Sequence, residues 1–125
     1  MATSQPVIVL VDDSDAMHAF FEQVAQETDI DLKLFRSAED AMPYLSESRP
    51  DLLFLNIIMP NKDGFTFLQE LRREPLHEST STLMISSKDY AQDRSTAKDL
   101  GVLEFVAKPI SKKALKSLIE KYALD

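Results

Sequence analysis

The chain has 125 residues, of which 44% are hydrophobic and 28% charged, with a formal net charge of -7 at pH 7. These values predict one globular domain over residues 1–125 and exclude a disordered or low-complexity chain. The chain has no cysteine, which excludes disulfides, thiolate zinc sites and cysteine nucleophiles. Its acidic charge argues against nucleic-acid binding. We expect a cytoplasmic protein that does not bind membranes, because neither a membrane-spanning apolar run nor a signal peptide is visible.

The first half of the chain alternates between strand and helix patterns. Residues 7–11 form an uninterrupted apolar run, typical of a strand buried on both faces of a parallel sheet. A helix with apolar side chains at positions 17, 20, 21 and 24 follows, and then a weaker strand over residues 32–35. The second helix opens at Ser37 with a capping box, and Pro43 inside it should kink or shorten it.

The alternation continues through the second half. Residues 52–55 form another continuous apolar strand, and the third helix ends before Pro75. A strand over residues 83–85 precedes a fourth helix over residues 90–100, whose thin apolar face predicts a mobile element. The fifth strand is predicted at residues 102–106, and the fifth helix begins after the N-cap Ser111.

This order predicts an α/β fold, a doubly wound five-stranded parallel sheet with five helices. Such sheets bind ligands at the carboxyl ends of their strands. Four of the five predicted strands end in polar residues there: Asp12 and Asp13, then Asn56, then Ser86, then Lys108.

The residue types at these strand ends suit phosphoryl chemistry on a metal ion. Paired carboxylates suit Mg²⁺, a hard cation that prefers oxygen ligands. Without a cation, two carboxylates about 5 Å apart repel by roughly 3 kcal/mol at an effective dielectric constant near 20. Lys108 offsets part of this repulsion and can bind a phosphoryl oxygen, and we expect it to pair with Asp12 or Asp13.

The pattern resembles the receiver domain of two-component response regulators, which is CheY-like. The resemblance runs through the whole chain and rests on these motifs: Asp12-Asp13, Asn56-x-x-Met59-Pro60-x-x-Asp63-Gly64, Ser86 and Lys108-Pro109. It implies a flavodoxin-like sheet with strand order 2-1-3-4-5. It also implies a signalling domain rather than an enzyme.

One residue departs from the receiver pattern. Receivers carry an aspartate at the end of the third strand that accepts a phosphoryl group from a histidine kinase, and this chain has Asn56. An amide is too poor a nucleophile to form an acyl phosphate. The resemblance implies a metal site made by Asp13 and the Ile58 carbonyl directly and by Asp12 through water, weakened by Asn56. A natural pseudo-receiver and an Asp→Asn replacement both explain the asparagine, and the sequence leaves both open.

The other receiver positions carry over by resemblance. Ser86 is the switch hydroxyl, Phe105 the switch aromatic on the fifth strand, and Lys108 the lysine that contacts the phosphoryl group before a cis bond to Pro109. The implied partners are a sensor histidine kinase or phosphotransfer protein and a downstream protein. The downstream protein would bind the face of the fourth helix, fifth strand and fifth helix. We expect a monomer or weak dimer.

The charge distribution fits a partner surface there. The last 25 residues hold five lysines against three acids, a net charge of +2, whereas the first hundred hold nine basic against eighteen acidic residues, a net charge of -9. An ordinary solvated helix face explains the same pattern.

Two other readings start from the same residues. Asp13 and Asp15 resemble the nucleophile and acid of haloacid-dehalogenase-like phosphatases, but that leaves the Asn56 motif unexplained. A flavodoxin-like FMN site is disfavoured because the acidic first loop would repel phosphate. His18 and His77 show no metal-ligand spacing and are assigned no role.

Overall fold

A computed structural model describes residues 5–124. Five strands alternate with five helices, in the order β1 (Val7–Val11), α1 (Asp15–Gln26), β2 (Asp31–Phe35), α2 (Ala38–Leu45), β3 (Leu52–Asn56), α3 (Gly64–Arg72), β4 (Thr82–Ser86), α4 (Ala91–Asp99), β5 (Glu104–Ala107) and α5 (Lys112–Ile119). A 3₁₀ turn at Pro75–His77 follows α3, and a π-helical segment, Glu120–Leu124, continues α5. The signal-peptide prediction rests partly on residues 1–4, which lie outside the described range.

The five strands form one parallel sheet in the order β2-β1-β3-β4-β5, which confirms the predicted fold class and strand order. From β1 the chain adds β2 on one side of that strand. It then crosses to the other side of β1 to add β3, followed outward by β4 and β5. The order therefore reverses between β1 and β3. A ligand cleft is expected at their carboxyl ends, where Val11 and Asn56 lie.

Two hydrophobic cores cover the two faces of the sheet. Alternate residues of β1 point to opposite faces, so that Ile8 and Leu10 pack with α1 and α5, whereas Val9 and Val11 pack with α2 and α3. Every residue of β3 and β4 is buried. This two-sided burial is the physical reason why these strands have no polar alternation in the sequence.

Side-chain caps fix where most helices begin. Ser14, Ser37, Asp63 and Ser111 each accept a hydrogen bond from a backbone N–H of the first turn. The fourth helix lacks such a cap, and Ala97 is its one buried residue, so its thin apolar face is confirmed.

Element bounds differ from prediction mainly at β5. The strand begins at Glu104 rather than at residue 102, because the Val102 N–H bonds back to the Ala97 carbonyl of α4 and the register with β4 begins at Glu104. The second helix has eight residues and ends two residues after Pro43. Within residues 5–124, no helix is both long and apolar enough to cross a bilayer.

Candidate functional site

The polar side chains predicted at the strand ends meet at one edge of the sheet. We call the group Asp12, Asp13, Asn56, Ser86 and Lys108 the carboxyl-end site. Asn56 and Ser86 end the adjacent strands β3 and β4, and Asp12 and Lys108 directly follow β1 and β5. The parallel order of the sheet therefore brings together residues that lie up to 96 positions apart in the chain.

Asp12 is the buried charge of this site. Its side chain is fully buried, and its Oδ1 accepts a hydrogen bond of 2.9 Å from the N–H of Ser14. Its Oδ2 lies 3.1 Å from Nζ of Lys108, an ion pair whose direction is not that of a hydrogen bond. A buried carboxylate needs a nearby positive charge, and Lys108 supplies it. The predicted pairing of Lys108 is thus with Asp12 rather than with Asp13.

Asn56 lies between the two components of the implied metal site. Its amide nitrogen donates one hydrogen bond of 2.7 Å to the Ile58 carbonyl and another of 3.3 Å to Oδ1 of Asp13. The residue is 6% exposed, whereas Asp13 is open to solvent. The amide nitrogen is the donor of the side chain and faces two acceptors, so the orientation of the amide is defined by its contacts.

The loop after β3 is shaped by a glycine that the motif already contained. The N–H of Gly64 donates a 2.7 Å hydrogen bond to the Ile57 carbonyl, which folds the loop back onto the end of β3. A Cβ at position 64 would collide with the Asn56 carbonyl oxygen. Only glycine fits this close backbone approach, and Asn61 provides a left-handed residue in the loop, with φ of 71°.

The two predicted switch residues, Ser86 and Phe105, are each engaged by other groups. The Ser86 side chain is buried, and its hydroxyl oxygen accepts a 3.0 Å hydrogen bond from the N–H of Lys88. The half-buried Phe105 ring is covered by the Arg94 guanidinium, whose Cζ lies 4.7 Å from the ring centroid. Arg94 is in turn held by two hydrogen bonds, of 2.5 and 3.0 Å, to Asp89. The ring therefore packs against α4 through a cation–π contact.

The donor set does not fit a divalent cation as it is arranged. Asp13 and the Ile58 carbonyl already face the Asn56 amide, and Asp12 faces Lys108. In residues 5–124, no group of three or more histidine, cysteine, aspartate or glutamate side chains is placed to hold a metal ion. The neutral amide has removed the third carboxylate that such a group would need.

Asp15 does not take part in the carboxyl-end site. It lies in the first turn of α1 and pairs with Arg36 at the end of β2, which lowers the pKa of the Asp15 carboxyl. Charge pairing keeps this carboxyl ionised, whereas a phosphatase acid must carry a proton to the leaving group. The arrangement gives no support to the Asp13/Asp15 phosphatase alternative.

Two contacts that the sequence did not indicate lie near the site, beside a cis bond that the receiver resemblance implies. Nε2 of His18 donates a 2.6 Å hydrogen bond to the Asp12 carbonyl and so steadies the loop after β1. Arg94 covers Phe105, as described above. The bond from Lys108 to Pro109 is cis, as the receiver resemblance implies, and the Lys108 N–H donates 2.8 Å to the Ser86 carbonyl. No spacing rule predicts the first two contacts, since each joins different elements.

The basic charge of the last helix is partly neutralised within the chain. Lys112 and Lys116 both donate to the carboxylate of Glu27 at the end of α1, at 2.8 and 2.6 Å. These two hydrogen bonds lower the pKa of Glu27 to about 2. The two lysines thus face α1, and the exposed residues of the predicted partner face include Tyr90 and Arg94 instead.

At the opposite edge of the sheet lies a second polar group, which we call the amino-end cluster: Arg72, His77, Thr80 and Thr82. Arg72 donates to the carbonyls of Leu100, His77 and Thr80 at 2.9 to 3.0 Å. His77 is buried, and its two ring nitrogens contact the Leu45 carbonyl and the Thr80 hydroxyl. The expectation of no metal-binding role for His77 is consistent with these structural contacts.

The sequence and the fold of this chain are similar to those of known proteins. A family model for the response regulator receiver domain matches residues 8–120. The chain is 32% identical over 120 residues to a probable cyclic di-GMP phosphodiesterase of Vibrio cholerae, covering 95% of this chain but 27% of that protein. Among solved structures, the chemotaxis protein CheY4 of Vibrio cholerae superposes with a TM-score of 0.88 at 18% identity, covering 95% of this chain and 99% of that one. The Mn²⁺-bound form of response regulator Rcp1 superposes with a TM-score of 0.80 at 26% identity, covering 94% and 93% of the two chains.

Proposed function

We propose that this chain, which belongs to the response regulator receiver domain family, is a receiver that is not phosphorylated at position 56 and acts by binding other proteins. The observation that carries the proposal is Asn56 at the end of β3, buried and facing Asp13 and Ile58. The family works in two-component signal transduction, and its fold is a signalling rather than a catalytic one. The name of the Vibrio cholerae relative includes a phosphodiesterase activity, but this chain matches only 27% of the length of that protein.

The chemistry at position 56 supports the absence of phosphoryl transfer. An aspartate attacks phosphorus through a carboxylate oxygen that carries charge, whereas the lone pair of an amide nitrogen is delocalised into its carbonyl. Here the amide nitrogen also donates both of its hydrogens to neighbouring oxygens, so it faces the site as a donor. The Ser86 hydroxyl is not activated as a substitute nucleophile either, since it is buried beside a backbone N–H and has no adjacent base.

The partner surface that we infer is the face made by α4, β5 and α5. Its exposed side chains include the large aromatic Tyr90, 56% exposed, and the Arg94 guanidinium. Exposed tyrosine and arginine are typical of the residues that anchor protein interfaces. A sensor histidine kinase or phosphotransfer protein and a downstream protein are the partners that we propose. The cytoplasmic location and the monomeric or weakly dimeric state stay predictions.

The test is intact mass spectrometry after incubation with a small acyl phosphate and Mg²⁺. We expect no phosphoryl adduct on this chain. The matched variant Asn56→Asp restores the carboxylate and should gain an adduct that hydroxylamine removes. A hydroxylamine-labile adduct on the unmodified chain would refute the proposal.

Partner binding provides the second half of the test. With a candidate kinase or phosphotransfer domain immobilised, the affinity of the unmodified chain should not change when the acyl phosphate is added, whereas that of Asn56→Asp should change. An affinity of the unmodified chain that depends on the phosphodonor would mean that another residue accepts the phosphoryl group.

A further inference from the structure

We propose that the Asn56 amide and the Lys108 ammonium replace the divalent cation in this chain, so that the carboxyl-end site is complete without metal. The inference rests on the proposed function, because the receiver resemblance is what assigns metal ligands to this site. It goes further than a weakened Mg²⁺ site. The Asn56 amide already binds Oδ1 of Asp13 and the Ile58 carbonyl, and the Lys108 ammonium already balances the charge of Asp12.

The Asn56 amide donates to groups that the implied metal ion would also contact. A terminal amide nitrogen has two hydrogens to donate. In this chain one points to the Ile58 carbonyl at 2.7 Å and the other to Oδ1 of Asp13 at 3.3 Å. These are the two protein oxygens that the resemblance assigns to direct contact with the metal ion. The amide therefore connects the same two elements, the loop after β1 and the loop after β3, that a shared cation would connect.

Turning the Asn56 side-chain amide around would cost free energy. A cation could use Asn56 only through its carbonyl oxygen, which requires that the amide nitrogen leave both acceptors. Asn56 is 6% exposed, so the displaced amide hydrogens would have little access to water. Leaving a buried donor without a partner is costly.

The net charge of the carboxyl-end site also differs from that of a site with an aspartate at position 56. Asp12 and Asp13 contribute two negative charges and Lys108 one positive charge, with Nζ of Lys108 at 3.1 Å from the fully buried Asp12. An aspartate at position 56 would add a third negative charge and leave an excess that suits a divalent ion. With the asparagine, the excess is a single charge, on the solvent-exposed Asp13. Water and the amide can accommodate that charge without a metal ion.

The experiment compares thermal unfolding of the full chain and of Asn56→Asp in EDTA and in about 10 mM MgCl₂. For the unmodified chain we expect the same Tm, within about 1 °C, in both solutions. For Asn56→Asp we expect a lower Tm in EDTA and a recovery of several degrees in MgCl₂, because three carboxylates then repel until a cation binds. Gln92→Glu is the matched control: it adds the same charge at an exposed position of α4, away from the carboxyl-end site, and should show neither effect.

Direct binding of Mn²⁺, followed by electron paramagnetic resonance of the free ion, provides a readout that does not depend on unfolding. We expect at least about tenfold weaker binding by the unmodified chain than by Asn56→Asp. If Asn56→Asp fails to fold even in MgCl₂, the Mn²⁺ titration of the unmodified chain decides alone: no uptake at millimolar Mn²⁺ supports the inference.

A rise in Tm with MgCl₂ equal to that of Asn56→Asp, or equally tight Mn²⁺ binding, would overturn the inference. Either result would leave the proposed function intact as long as no phosphoryl adduct forms. A phosphoryl adduct on the unmodified chain would refute the proposed function instead, so the two failures can be told apart.

Discussion

Two polar groups lie at opposite edges of the same sheet, and they differ in what holds them together. In the amino-end cluster, Arg72 and His77 donate to backbone carbonyls of four different loops and helix ends. In the carboxyl-end site, side chains face one another, and two acidic residues converge with Asn56 and Lys108. The first arrangement satisfies groups that the fold leaves buried. The second concentrates charge that the fold does not need, and such an excess is typical of a functional site.

The contrast predicts that the amino-end cluster matters more for stability. Arg72→Ala removes the donors to the Leu100, His77 and Thr80 carbonyls and leaves them unsatisfied in a partly buried environment. We expect a loss of about 3 kcal/mol in the free energy of unfolding. Urea denaturation followed by far-UV circular dichroism measures it. The neighbouring Arg73→Ala, an exposed position with no such contacts, should lose less than about 0.5 kcal/mol.

Equal losses for the two arginine variants would show that the amino-end cluster is not a structural centre. The comparison between the two edges of the sheet would then have no energetic basis.

The loop after β3 should be sensitive to the close backbone approach at Gly64. Gly64→Ala places a methyl group against the Asn56 carbonyl oxygen and the Met84 side chain. Since the obstacle is backbone, the loop must move, and we expect a loss of about 2 kcal/mol in unfolding free energy. Amide hydrogen exchange should rise in residues 56–64 and stay unchanged around Arg72.

Gly101→Ala serves as the comparison for that variant. Its obstacle is the left-handed φ of 77° rather than crowding, and a Cβ there would meet only the Arg72 guanidinium at 3.9 Å. A faster exchange confined to the end of α4 is expected. If Gly64→Ala leaves exchange in residues 56–64 unaltered, the loop does not depend on the close approach.

The smallest effect is expected where charges pair in solvent. Hydrogen bonds from Lys112 and Lys116 lower the pKa of Glu27 to about 2, against 4.5 for an ordinary glutamate. Because the pKa of Glu27 is lower in the folded state, its ionised carboxylate stabilises the fold at pH values above its unfolded-state pKa of about 4.5. This stabilisation is lost as the pH falls from about 4.5 to about 2. Glu27→Gln should therefore lower the Tm at pH 7 by on the order of 1 °C and make no difference at pH 2.

Glu22→Gln, on the exposed side of the same helix, is the control and should leave the Tm unchanged at both pH values. If Glu27→Gln lowers the Tm equally at pH 7 and pH 2, the effect does not come from the ionised carboxylate.

The sequence was informative where the signal is periodic or sits at a strand end. Apolar runs, helical stripes and capping residues predicted the five strands and the five α-helices, and the strand-end position of Asp12, Asn56, Ser86 and Lys108 predicted that they would meet. The amino-end cluster could not be predicted, because His77 binds the Leu45 carbonyl, and backbone acceptors have no signature in sequence. The pairing of Lys112 and Lys116 with Glu27 was also missed, since it depends on how α1 and α5 pack.

The start of β5 was placed two residues early for a related reason. Val102 and Leu103 are apolar, but the Val102 N–H bonds to the Ala97 carbonyl of α4, and the register between β4 and β5 begins only at Glu104. Apolar character predicts burial better than it predicts which hydrogen-bond partner a residue has.

The central claim is that the Asn56 amide holds the carboxyl-end site in one state, independent of metal and phosphodonor. The most direct measurement is a ¹H–¹⁵N correlation spectrum of the labelled chain, recorded before and after addition of Mg²⁺ and a small acyl phosphate. We predict that the Asn56 side-chain amide signals and the backbone signals of Ser86 and Phe105 stay in place. Shifts that begin at Asn56 and extend to Ser86 and Phe105 would show a switching receiver and would contradict the account.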